Sequence, residues 1–239
     1  MLDLLKKDLQ KCKNKRDARI LQGFFKTGPG EYGQGDIFLG IKVPVLRVLS
    51  KRYQGLEFNA TLKLLRSPFH EERLLALLIL ILKYRQACPA EKEKIYKAYL
   101  KNARYINNWD LVDLSAKHIV GDFLKGQDKG VLFKLAGSKL VWERRIAILS
   151  SFNFEPNNDF RINLKLAGLL IADEHDLIHK AVGWMLREVA KRDRPCVERF
   201  LKKHVRVMPR TMLRYAIERF PEAKRREYLR VGRIVAKAK

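Results

Sequence analysis

Trp109 and Asp113 lie four residues apart in the segment NNWDLVD, residues 107–113. On a helix that spacing leaves them about 40° apart, so an indole and a carboxylate are presented together at the rim of the apolar arc. A carboxylate beside an aromatic wall can stabilise a cationic sugar and orient water, as acids do in glycosidic cleavage. The position also suits an ordinary helix-end acid, because Asp110 and Asp113 both complement a positive N-terminus that Asn107 or Asn108 caps. Trp184 falls within about 60° of Lys180, Arg187 and Lys191 at helical spacing, to one side of the apolar arc Ile178, Ala181, Val182, Met185 and Val189. It either stacks on a nucleoside whose phosphates the cations hold, or covers the core edge beneath lysine stems. Arg145 has Val141, Trp142, Leu149 and Phe152 on its face and needs a partner, an internal carboxylate or a ligand phosphate, with composition slightly favouring phosphate. Its neighbour Arg144 points elsewhere and reads as a surface residue.

Other chemistry-bearing patterns fail on context. His175 and His179 have the i, i+4 spacing of two metal ligands, but Asp176 stands where HExxH needs glutamate and no third ligand is evident. Asp173 as an N-cap accounts for the acids there, and no metal or cofactor is expected. His70, in HEERL, has no second histidine and adds nothing. Gly28, Gly30 and Gly33 satisfy GxGxxG within residues 27–40, yet no strand precedes them and no helix follows at once, so the segment reads as a flexible loop or small hairpin. Cys12, Cys88 and Cys196 are too dispersed for a disulfide framework or structural zinc site. There is no GxSxG, Walker or kinase signature.

The elements that carry these residues are helices. Apolar periodicity predicts them near 2–24, 43–53, 58–66, 69–86, 89–103, 108–125, 129–137, 140–152, 159–171, 174–191, 195–204, 209–219 and 222–235. Pro44, Pro68, Pro89, Pro156, Pro195, Pro209 and Pro221 fall at or near their ends. Segments 70–80, 106–116, 142–152 and 178–188 each begin 36 residues after the last. Two helices per constant period are the mark of an α-solenoid whose units bury their apolar faces by stacking. The expectation is one domain over 1–239, with a glycine-rich loop at 27–37 and a short basic C-terminal tail.

The 239 residues are 47% hydrophobic, enough for a sizeable core, and carry a formal net charge of +24. That excess attracts polyanions and makes nucleic acid the leading partner. The longest apolar run, Leu74 to Leu82, is too short to span a bilayer, and the start MLDLLKKDLQ has no signal-peptide h-region. A monomer in the cytoplasm, away from membranes, is expected.

NNWDLVD (107–113), WERRIAIL (142–149) and VGWMLRE (182–188), in this order and spacing, resemble the AlkD-type DNA alkylation repair glycosylases, built from HEAT-like repeats. The resemblance spans roughly residues 35–220. It implies an all-α, HEAT-like repeat solenoid with a concave DNA-binding groove, and excision of cationic alkylated purines such as N7-methylguanine and N3-methyladenine from duplex DNA. Trp109 and Trp184 would contact the sugar and backbone at the lesion, Asp113 would act at the sugar, and Arg145 would serve the DNA backbone. Lys180, Arg187 and Lys191 complete the expected DNA contacts. Near its start the family places an aromatic by the DNA, where this chain offers Phe24 or Phe25. Two other readings remain: a non-catalytic reader of damaged or branched DNA, and a protein scaffold, whose groove would carry apolar or mixed charge in place of the cationic excess.

Overall fold

The computed structural model describes residues 1–153 and 160–236. Pro156 and the last three residues of the basic tail lie outside them. Among the described residues the chain is all-α, its one β feature being an isolated bridge from Ile37 to Phe69.

The chain divides into two compact units, 1–119 and 120–239. The first holds α1 (Leu2–Lys11), α2 (Lys15–Phe24), α3 (Val43–Arg52), α4 (Phe58–Leu65), α5 (His70–Gln86), α6 (Pro89–Lys101), a 3-10 turn (Ala103–Tyr105) and α7 (Trp109–Ala116). A π-helical stretch, Lys117–Gly121, continues α7. The second holds α8 (Gly130–Ala136), α9 (Val141–Ser150), α10 (Arg161–Leu169), α11 (Asp176–Ala190), α12 (Arg194–His204), α13 (Arg210–Ala216) and α14 (Glu222–Ala236).

Two predicted helices break where their sequences look continuous. The 2–24 helix is two, because Asn14 turns extended and its side chain accepts from the N–H groups of Arg16 and Asp17, starting α2 afresh. The 108–125 helix changes from α to π winding at Lys117. Asn108, of the two candidate caps, starts it by accepting from the Trp109 N–H.

Each unit is organised on one long helix. In the first it is α5, where every residue from His70 to Ile81 is buried and against which α3, α4, α6 and α7 pack. A helix apolar on all sides belongs in an interior, and each fully buried leucine contributes about 1.5–3 kcal/mol. In the second it is α11, packed on α9, α10, α12 and α13. Its approach to α13 depends on Gly183, where a Cβ would stand 2.5 Å from the Met212 carbonyl oxygen and from Tyr215 Cβ.

One side-chain device recurs in both units, one residue short of two 36-residue periods apart. Ser67 Oγ accepts from the Phe69 N–H ahead of α5, and Arg73 reaches back to the Ser67 carbonyl. Ser138 Oγ likewise accepts from the Leu140 N–H ahead of α9, and Arg144 donates to the Ser138 carbonyl. Each arginine also grips an aspartate, Asp36 for Arg73 and Asp173 for Arg144. Arg144 is therefore half-buried and structural, not the surface residue its sequence position suggests.

Candidate functional site

The glycine-rich segment is a loop of turns, with no hairpin among the described residues, and its end at residues 36–41 is held from within the fold. Glu71, buried at the start of α5, accepts from the backbone N–H groups of Leu39, Gly40 and Ile41. The His70 N–H donates to the Ile37 carbonyl. Gly40 has φ +78°, and a Cβ there would stand 2.0 Å from the Asn14 carbonyl oxygen, so the segment lies directly on the start of α2.

This brings Asp36 against His70, the histidine that sequence context gave no role. Its Nδ1 lies 3.0 Å from Asp36 Oδ2 and its Nε2 2.8 Å from Asp110 Oδ2, all three residues being buried. Burial alone would pull the His70 pKa down. The charge and hydrogen bond of Asp110, followed by those of Asp36, outweigh it and raise the value to about 9. His70 is thus an imidazolium between two carboxylates, and Arg73 completes the network on Asp36. Burial also pushes the Asp36 carboxyl up, but the His70 hydrogen bond and the Arg73 charge hold it below its ordinary value. The network ties α5 to the first turn of α7 on one side and to the 27–40 segment on the other.

Trp109 sits at the edge of that junction. Its ring stacks on Phe25 at 5.2 Å between centroids, Phe25 stacks on Phe38 at 5.0 Å, and Phe38 stacks on His70 at 4.4 Å. The indole N–H donates to the Tyr32 hydroxyl at 3.3 Å. Phe25 is therefore committed to the stack, only 7% exposed, whereas Phe24 meets Trp109 edge-on and remains 62% exposed. Of the two early aromatics, Phe24 is the one a ligand can reach.

Asp113 is half-buried one turn after Trp109 and lines a pocket of about 330 Å³ walled by α3, α5 and the end of α7. Trp109 does not line this pocket, and Asp113 is the sole acid among the described residues that do. The helical spacing places the two residues on adjacent turns, yet the indole turns to its aromatic neighbours while the carboxylate opens on the pocket.

In the second unit, Arg145 is 4% exposed and donates through Nη1 to the Leu177 carbonyl oxygen. The guanidinium thus finds a main-chain partner inside the fold, of a kind that the residue's apolar neighbours do not announce. Trp184 is half-buried, with its indole N–H on Glu188 at 3.0 Å. The cations beside it are neutralised locally: Lys180 by Asp176 at 2.6 Å, Lys191 by Glu188 at 2.7 Å, and Arg187 by Glu218. His175, not Asp173, caps α11, its Nδ1 accepting from the Leu177 N–H, while Asp173 accepts from the His175 N–H. Among the described residues no helix is long and apolar enough to cross a membrane.

Residues 5–220 match the family described as DNA alkylation repair enzyme. Similar solved structures include two that bear on the fold. A predicted DNA alkylation repair enzyme from Enterococcus faecalis matches with a TM-score of 0.68 and 18% identity, over 88% of this chain and 97% of that one. AlkD2 from Streptococcus mutans matches with a TM-score of 0.53 and 16% identity, over 92% and 97%. No curated protein matches the chain. At these identities the likeness shows the fold, the α-helical repeat architecture expected from the 36-residue period.

Proposed function

The chain belongs to the DNA alkylation repair enzyme family, and we propose that it is a DNA glycosylase, hydrolysing the N-glycosidic bond of cationic alkylated purines such as N7-methylguanine and N3-methyladenine in duplex DNA. The observation that carries this reading is Asp113, a single carboxylate opening on an otherwise acid-free pocket, one helical turn from a rigidly held tryptophan.

A purine alkylated at N7 or N3 already carries positive charge. When the C1′–N9 bond breaks, its electron pair passes to N9 and neutralises the ring, so the base departs without a proton from an acid. The positive charge then lies on C1′ and O4′ of the sugar. Asp113 stabilises that oxocarbenium ion and takes the proton from the water that attacks C1′, closing the bond balance with a free base and an abasic sugar. The leaving group's own charge is why neither metal nor cofactor enters the scheme. Trp109, fixed by Phe25 and Tyr32, serves as an aromatic contact to the sugar, with exposed Phe24 beside it; Trp184, in the second unit, is assigned to DNA contact by the family resemblance.

Incubating the protein with duplex DNA containing N7-methylguanine and measuring the free base tests the reading. Release above the spontaneous rate is expected. Tight DNA binding with no release would instead make the protein a non-catalytic reader, and absence of DNA binding would favour a scaffold.

A further inference from the structure

The pocket on which Asp113 opens is lined by five basic side chains, and three of them come from helices to which the sequence motifs assign no role. Arg47 and Lys51 are one turn apart on α3, on the same helix face, and Arg85 stands at the far end of α5. All three are exposed, and among the described residues none of them is in an ion pair. Lys117 and His118, from the turn that follows α7, complete the basic lining.

Like charges four residues apart on one helix repel each other, and two cations from α3 facing a third from α5 add to that repulsion. An acid on a neighbouring element would ordinarily relieve it, as Asp176, Glu188 and Glu218 do for the cations beside Trp184. Here the pocket's one acid, Asp113, is in no ion pair with Arg47, Lys51 or Arg85 among the described residues. The floor between the cations is apolar, made by Leu78, Ile81 and Leu82, a surface suited to a deoxyribose and over which charge acts in a lower dielectric than open water.

We propose that Arg47, Lys51 and Arg85 form the docking site for the backbone phosphates that flank the sugar at Asp113, so that strand affinity resides on this face and not on the self-neutralised row of α11. The proposal rests on the DNA reading above and deepens it: the ligand is a phosphodiester strand, seated with its sugar over Leu78 and Ile81 and its phosphates on the α3 and α5 cations.

The test is the salt dependence of binding to an unmodified duplex oligonucleotide, measured by fluorescence anisotropy. Each phosphate contact contributes about 0.9 to the slope of log affinity against log salt. Replacing all three, Arg47→Gln, Lys51→Gln and Arg85→Gln, should lower the slope by about 1.8–2.7, as Arg47 and Lys51 share one phosphate or take two. Each single variant should lower it by no more than about 0.9. A charge-matched control, Lys7→Gln, Lys97→Gln and Lys101→Gln, removes three exposed cations from α1 and α6 that line no part of the pocket, and should change the slope little. Neither triple variant should melt much below the parent, since the replaced side chains are exposed, and the pocket triple also loses the repulsion among its cations. A steep parental slope that the pocket triple leaves unchanged, or that the control lowers equally, would overturn the docking site and leave the DNA reading intact. A parent whose binding ignores salt would overturn both. The expected slopes without base release would support the docking site while removing the glycosylase reading.

Discussion

Exchanging His70 for glutamine removes the positive charge that lies between Asp36 and Asp110 inside the first unit. Breaking a buried ion pair by deleting one partner costs about 3–5 kcal/mol, because the surviving carboxylates remain away from water. The same interaction carries a pH signature. The folded-state pKa of about 9 lies above the ordinary 6.5, so the folded form holds the proton more tightly than the unfolded chain does. Its stabilisation is complete below pH 6.5, declines as pH rises, and is gone above about 9. Two and a half pH units correspond to about 3 kcal/mol, or roughly 6–12 °C in melting temperature for a chain of this size. Thermal melts of the parent and His70→Gln at pH 6, 7.5 and 9.5 should therefore show a wide gap at low pH that narrows by about that amount. A gap independent of pH, or imidazole resonances titrating at or below 6.5, would refute the doubly bonded imidazolium.

Arg145→Ala should lower stability by about 2–4 kcal/mol, since it opens a cavity and leaves the buried Leu177 carbonyl without its guanidinium donor; chemical denaturation reads this, and an unchanged midpoint would free the residue for a DNA role. Gly40→Ala combines a left-handed backbone with a Cβ placed 2.0 Å from the Asn14 carbonyl oxygen, so a loss of about 2 kcal/mol or more is expected. In that variant, faster hydrogen exchange should be confined to residues 36–41 and the start of α2, and uniform acceleration across the unit would contradict it.

Most helices were legible because apolar periodicity and prolines mark them, and the Asn108 cap before α7 is of the same local kind. The break at Asn14 was hidden, since no glycine or proline interrupts KCKNK and only the cap geometry reveals the new helix. The anchoring of the loop's end at residues 36–41 is illegible for a different reason: its partners, His70, Glu71 and Arg73, are more than 29 residues away in sequence, and no local pattern encodes such a contact. His70 lost its significance in the same way, as it binds carboxylates on both sides of it in the chain. Apolar neighbours correctly announced that Arg145 needs a partner, but a main-chain carbonyl leaves no trace in the sequence. The pocket cations are the reverse case, because the Arg47 and Lys51 spacing was visible while the approach of Arg85 on α5 was not.

The central claim is that the charge of Asp113 acts on the sugar of an alkylated nucleotide. Asp113→Asn keeps nearly the same shape, and losing a negative charge should preserve or tighten binding to the polyanion. Release of N7-methylguanine from duplex DNA, measured for parent and variant under single-turnover conditions with binding saturated, should fall by about 10² or more, the scale of losing one electrostatic or acid–base group at a reacting centre. A helix-end acid would contribute only about 0.3–1 kcal/mol to stability and nothing to turnover. Near-parental release by Asp113→Asn, from a parent that does release the base, would contradict the account.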